Sequence, residues 1–390
     1  MRSMNVTPPS LTEALFFLLC AGCATFCAGQ GIINLPVTLV APTAKVEPVK
    51  TGLAYCEGPT CDKDDNLYFS EMPSGQTMKI WKITPQGVAT VIRTAAYFNG
   101  NECDPQGRLV SCQQDMVTRL NLSGSIDTLS RSGDNGFSLL YTNDVSIATT
   151  GEMFFTNHQS GKSVFYRSTT GALKRWTGFP TPNGVEWVEE RHLLYLCLSD
   201  TNMVMTFSVA TDGSISNEKK FAVLPVPDGI TLDERYNVYV AGNQEGILYV
   251  YDSTGKALGT VTMQGSSTPV GNVSNCVFGG ADNRTLYITG NGGIYKVQML
   301  VAGRVKGDAV RVAAPYLPQA FKNGSPESDE FPAVKEEVLY DVTGRAIGRV
   351  TSAEFGQRVM KNKLSPASGI YLWKNENFNQ VRVGATMSKK

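Results

Sequence analysis

Histidine is almost missing from this chain, with only His158 and His192 among 390 residues. With so few imidazoles, and no Gly-x-Ser-x-Gly word at a strand-to-helix turn, a serine or cysteine nucleophile served by a histidine base is disfavoured. Excess charge of either sign is missing too, because Lys plus Arg and Asp plus Glu are 35 each. No net field draws a polyanion and no basic stripe alternates with aromatics, so no nucleic-acid partner is expected. Long amphipathic helical runs are hard to find. Glycine (38), phenylalanine (17) and tyrosine (15) are plentiful instead. That is the composition of short strands joined by tight turns, and the class expected is all-β.

One apolar run stands near the start, LFFLLCAGCA from Leu15 to Ala24, with only Arg2 and Glu13 charged before it. It is too short to span a bilayer and small residues follow it. Residues 1–28 therefore read as the signal peptide of an exported protein, periplasmic, at the cell surface or secreted. A buried strand or helix is the competing reading. Cys20, Cys23 and Cys27 fall in or beside this run, and Cys23, after Cys20-Ala21-Gly22, is an imperfect match to a lipidation site. The remaining cysteines are 56, 61, 103, 112, 197 and 276, none at Cys-x-x-Cys zinc spacing. Pairing of Cys56 with Cys61 or Cys103 with Cys112, and free buried thiols, are both open.

The chain repeats. Short apolar strands begin at Leu67, Leu109, Met153, Leu194, Val238 and Leu286, spaced 42, 44, 41, 44 and 48 residues apart. A second strand follows each, and most of these lead into a glycine turn, as in IWKITPQG from Ile80 and LYVYDSTG from Leu248. A period of this size is one four-stranded propeller blade, and six copies predict a six-bladed β-propeller over residues 32–313. The edges of such a ring must be closed, and the segment from Ile32 to Val49 is expected to complete the last blade. Residues 314–337 turn proline-rich and charged, as a linker does, and residues 338–390 form a small β-sandwich-like module.

The same phase of every repeat carries an acidic or amide residue. Glu57, Asn99, Asn143 and Asp228 lie ten positions before their reference strands, and Asn183 and Asn275 lie eleven before theirs. The innermost strand of each blade lines the central channel, so these six residues would converge on it. Two carboxylates and four amides are hard oxygen donors, suited to Ca²⁺ rather than to a metal that favours histidine or cysteine. Asn-Gly and Asp-Gly are also common turn words, and recurrent turn geometry is the competing explanation. It does not account for Glu57.

At these residues the chain resembles the gluconolactonase and senescence-marker-protein (regucalcin) family, which is related to diisopropylfluorophosphatase and to a bacterial lactonase of drug response. The matching words include EGPTCDKDDNLYFSE from Glu57, NGNECDPQGRLVSC from Asn99, NDVSIATTGEMFFTN from Asn143, PNGVEW from Pro182 and PDGITLDERYNVYVAG from Pro227. Together they cover about residues 50 to 300. The resemblance implies a divalent metal, Ca²⁺ first and Mg²⁺, Mn²⁺ or Zn²⁺ as alternatives, held by Glu57, Asn183 and Asp228. It adds Asn143 as a fourth ligand in some relatives and Asn99 as a substrate contact. Two departures are visible. Tyr97 stands where regucalcin-type members carry a substrate-binding arginine, and His158 where many bacterial members carry proline. VLYDVTGRAIG from Val338 and SGIYLWK from Ser368 resemble a type IX secretion sorting domain, which implies that secretion machinery as a partner. A carbohydrate-binding or interaction sandwich is the alternative.

The chemistry implied is hydrolysis of a lactone or ester, with Asp228 as general base and Asn99 and Asn143 orienting substrate or water. A propeller that binds a ligand or protein without catalysis, its channel braced by calcium, is the rival reading.

Overall fold

The apolar words of the repeat are strands buried on both faces. Phe69, Phe154, Phe155 and Leu194 are fully enclosed, and such strands lose the alternation of a half-exposed sheet because neighbouring sheets cover both sides. The computed structural model describes residues 31–159, 161–263 and 272–305, together with four strands farther on. The expected signal peptide with Cys20, Cys23 and Cys27, and residues 314–335 of the expected linker, lie outside the described residues.

The chain divides into two units, Met1–Tyr316 and Leu317–Lys390. The first is an all-β propeller. Its innermost strands are Glu47–Cys61, Phe98–Cys103, Thr142–Ile147, Pro182–Val188, Pro227–Leu232 and Val273–Gly279. Each touches the next and the last touches the first, so they enclose a channel.

The six separate blades expected from the repeat count are corrected to five sheets. Four sheets hold one repeat each, and the fifth is six-stranded, running from Val273–Gly279 through Thr285–Gln298 and Glu47–Cys61 to Ala89–Ala95. Strand length is the cause. Glu47–Cys61 and Thr285–Gln298 have 15 and 14 residues. The first half of Glu47–Cys61 pairs with residues 293–296 and its second half with Leu67–Met72. Hydrogen bonding therefore passes without a break from the last repeat to the first.

The closing segment also divides its work. Residues from Glu47 onward do reach the last repeat, but Ile32–Asn34 pairs with Thr260–Thr262 on the outer edge of the fifth repeat instead. Both contacts cover a strand edge that would otherwise be open to pairing.

The second unit contains four antiparallel strands in the order Ala346–Thr351, Glu336–Tyr340, Ile370–Lys374, Val381–Ala385. Among the described residues this is a single sheet rather than a sandwich, and it begins at Glu336, two residues inside the expected linker.

Candidate functional site

Every inner strand breaks register where the polar residue sits. The shifts fall between Glu57 and Thr60, Phe98 and Asn101, Thr142 and Val145, Pro182 and Val185, Pro227 and Ile230, and Val273 and Asn275. A bulge inserts an extra residue and re-aims the side chains beside it. The Asn-Gly and Asp-Gly words are thus irregularities inside strands, and the turn explanation is set aside. Their glycines serve close approach: a Cβ on Gly184 would lie 2.1 Å from the Asp228 carbonyl oxygen, and one on Gly229 would lie 2.0 Å from Asn275 Cγ.

Glu57, Asn99, Asn143, Asn183, Asp228 and Asn275 are all buried. The first and fifth repeats bring their carboxylates to one hydroxyl: Tyr55 Oη lies 3.2 Å from Glu57 Oε1 and 3.3 Å from Asp228 Oδ2. Asn243 donates its amide to Tyr55 Oη at 2.7 Å and to Asp228 Oδ2. Asn275 accepts the Cys276 N–H at 2.8 Å through Oδ1 and bonds to Glu57. Asn275 thus braces Glu57 and directs its oxygen to the wall. Asn99 donates to Tyr97 Oη at 2.9 Å and Asn183 donates to Ser199 Oγ at 3.1 Å. Asn99, Asn143 and Asn183 make no side-chain hydrogen bond to either carboxylate among the described residues.

Burial raises the pKa of Glu57 well above the usual carboxylate range, and the Asp228 charge raises it further. Asp228 is pushed up to about 7, again by burial first, with Asp144 adding to the rise and the Asn243 hydrogen bond opposing it. Two buried carboxylates that share a hydrogen-bond donor cannot both ionise cheaply without a positive partner. The donor set fits a hard divalent cation: two carboxylates and nearby amides, all oxygen chemistry. Among the described residues no group of three or more His, Cys, Asp or Glu side chains gathers to hold a metal, so amide oxygens would have to complete any such site.

Three residues at this centre were not singled out from sequence. Tyr55 carries a weak signal, since Tyr97 and Tyr141 stand at the same phase, two residues before Asn99 and Asn143. Asn243 has none, because it follows the second strand of its repeat. Asp144 stands where four other repeats carry glycine. It accepts the Val145 and Val185 N–H groups at 3.0 and 3.3 Å, and burial, then the Glu57 charge, pushes it up to about 8.

Deeper along the inner strands lies a cavity of about 200 Å³ lined by Asn101, Glu102, Asp144, Glu186 and Arg304 among others. Arg304 is bonded to Glu186 and donates to the Trp187 carbonyl at 2.9 Å. Neither histidine joins the carboxylates. Burial lowers the pKa of His158, and His192 is exposed in the turn before Leu193–Leu198. All six described cysteines are free, so neither disulfide considered from sequence is formed.

An all-β propeller with paired carboxylates buried in its channel defines the class of protein. Residues 55–291 match the SMP-30/Gluconolactonase/LRE-like region, more than half of the chain, and the chain belongs to that family. It is 28% identical over 160 residues to the pentonolactonase XacC of Haloferax volcanii, covering 39% of this chain and 53% of that protein. It is 31% identical over 113 residues to the regucalcin of Danio rerio, covering 27% of this chain and 37% of that protein. The chain thus spans about half or less of these curated relatives. Among solved structures, XC5397 of Xanthomonas campestris, described as a gluconolactonase, superposes with a TM-score of 0.61 at 23% identity, covering 70% of this chain and 95% of that one. A calcium-binding regucalcin of Agrobacterium tumefaciens gives 0.57 at 14% identity, covering 67% and 96%. These two likenesses establish the fold.

Proposed function

We propose that the chain is a hydrolase of the gluconolactonase type that opens a lactone, or a related ester, at the Glu57–Asp228 centre. The observation that carries this reading is the pair itself: two buried carboxylates, from the first and fifth repeats, meet at one hydroxyl. We further propose that Glu57, Asn183 and Asp228 hold a divalent cation, Ca²⁺ before Mg²⁺, Mn²⁺ or Zn²⁺. When bound, such an ion supplies Lewis acidity toward the substrate carbonyl.

The chain's own residues do the rest. Asp228 is the general base, taking a proton from the attacking water, and its raised pKa brings it near the range where a base works at neutral pH. Tyr55 and Asn243 fix the Asp228 carboxylate by hydrogen bonds. Asn275 fixes Glu57. Asn99 and Asn143 orient substrate or water, and Asn143 makes no hydrogen bond of its own among the described residues that would compete. Burial keeps bulk water from screening these groups, so each charge acts more strongly than it would at the surface.

The proposal includes export through residues 1–28 and type IX secretion through residues 338–390, both resting on the sequence words alone. The catalytic reading is tested by stripping the protein with a chelator and assaying aldonolactones, simple γ-lactones and phosphotriesters with each cation restored. Turnover that returns with one cation supports it. Cation binding with no turnover across the whole panel would instead make this a binding propeller braced by its ion.

A further inference from the structure

Tyr55 has two surroundings. Its hydroxyl bonds to Glu57 and Asp228, while the residue also lines an open hollow of about 910 Å³ beside the turn that joins Leu67–Met72 to Met78–Ile83. The apolar lining is Met72, Pro73, Met78 and Ala96, and Ser74, Gln76 and Thr77 form an exposed polar rim. Met78 is fixed in place, since its sulfur accepts the Phe98 N–H at 3.3 Å. The cation on this wall is engaged: Lys79 Nζ lies 3.2 Å from Glu71 Oε2. The hollow thus offers thioether and methyl surface, a rigid aromatic edge and no unpaired charge from Lys79. Its volume falls in the range of small-molecule sites, and Tyr55 is the residue it shares with the carboxylate centre.

We propose that this hollow is a second substrate subsite, which takes an uncharged alkyl or aryl substituent of the lactone whose carbonyl is attacked at Glu57 and Asp228. The inference rests on the lactonase reading and narrows it. The preferred substrate carries an apolar arm, rather than hydroxyl groups all around its ring. Each methylene taken from water into such a hollow raises kcat/KM about two- to fourfold.

The test is a substrate series on the full chain: γ-butyrolactone, γ-lactones with side chains of increasing length, and glucono-δ-lactone. The expected result is a kcat/KM that climbs with chain length and exceeds that for glucono-δ-lactone, with a shallower climb in Met78→Ser. A flat or falling series on protein that still turns over γ-butyrolactone or glucono-δ-lactone overturns this inference and leaves the lactonase reading standing. Folded protein that opens no lactone overturns both. The wild-type series decides even if the variant folds poorly.

Discussion

Two carboxylates enclosed beside one phenol are expensive unless something offsets their charge. Folding raises the pKa of Asp228 from 3.8 to about 7, so the folded protein binds that proton more tightly than the unfolded chain does. The contribution to stability is then fullest below the ordinary carboxylate range and is lost as pH rises through about 7. Metal-free protein should therefore melt at lower temperature at pH 8 than at pH 5. Asp228→Asn should remove its own share of that difference, about 2–4 kcal/mol, leaving the shares of Glu57 and Asp144, whose carboxyls burial also raises, while abolishing turnover. Thermal melts at the two pH values check this, and an unchanged pH slope in the variant would show that Asp228 is not the group responsible. The two carboxylates were legible in the sequence because they repeat at one phase. Tyr55 and Asn243 were not, since hydrogen-bond partners across 173 and 188 residues of separation leave no local pattern.

The inner strands turn these residues toward the channel by breaking their own ladders. Apolar periodicity identified the strands correctly, because each is a short run bounded by polar turns. Asp62, Asp104 and Asp233 each accept two backbone N–H groups through Oδ1 in such turns, a local interaction that sequence displays directly. The bulges were harder to read, because Asn-Gly in a strand looks like Asn-Gly in a turn. The close approach of neighbouring inner strands separates the two. Gly184→Ala places a methyl group against the Asp228 backbone and should cost about 1–3 kcal/mol through overpacking. It should also lower turnover, because Asn183 and Asp228 lie on the two strands forced apart. Urea denaturation and kcat/KM measured together check this, and unchanged values for both would mean that the strands are not held at this contact.

At the level of the whole molecule, the repeat predicts a closed all-β ring, and the ring is there. The number of separate sheets was not legible, because whether the long strands Glu47–Cys61 and Thr285–Gln298 stay continuous depends on pairing between the two ends of the propeller. Repeat counting treats those ends as independent. The same closure brings Tyr55 and Glu57 of the first repeat beside Asp228 and Asn243 of the fifth, so the carboxylate centre and ring closure depend on the same long-range pairing. The decisive measurement is kcat/KM toward a lactone that the wild-type protein hydrolyses, for Glu57→Gln, Asp228→Asn and the double variant. If the two residues work as one centre, each single variant should lose at least about a hundredfold and the double variant should lose little more than the worse single variant. Near-wild-type turnover in either single variant would contradict the account, because it would put the chemistry somewhere other than the buried pair.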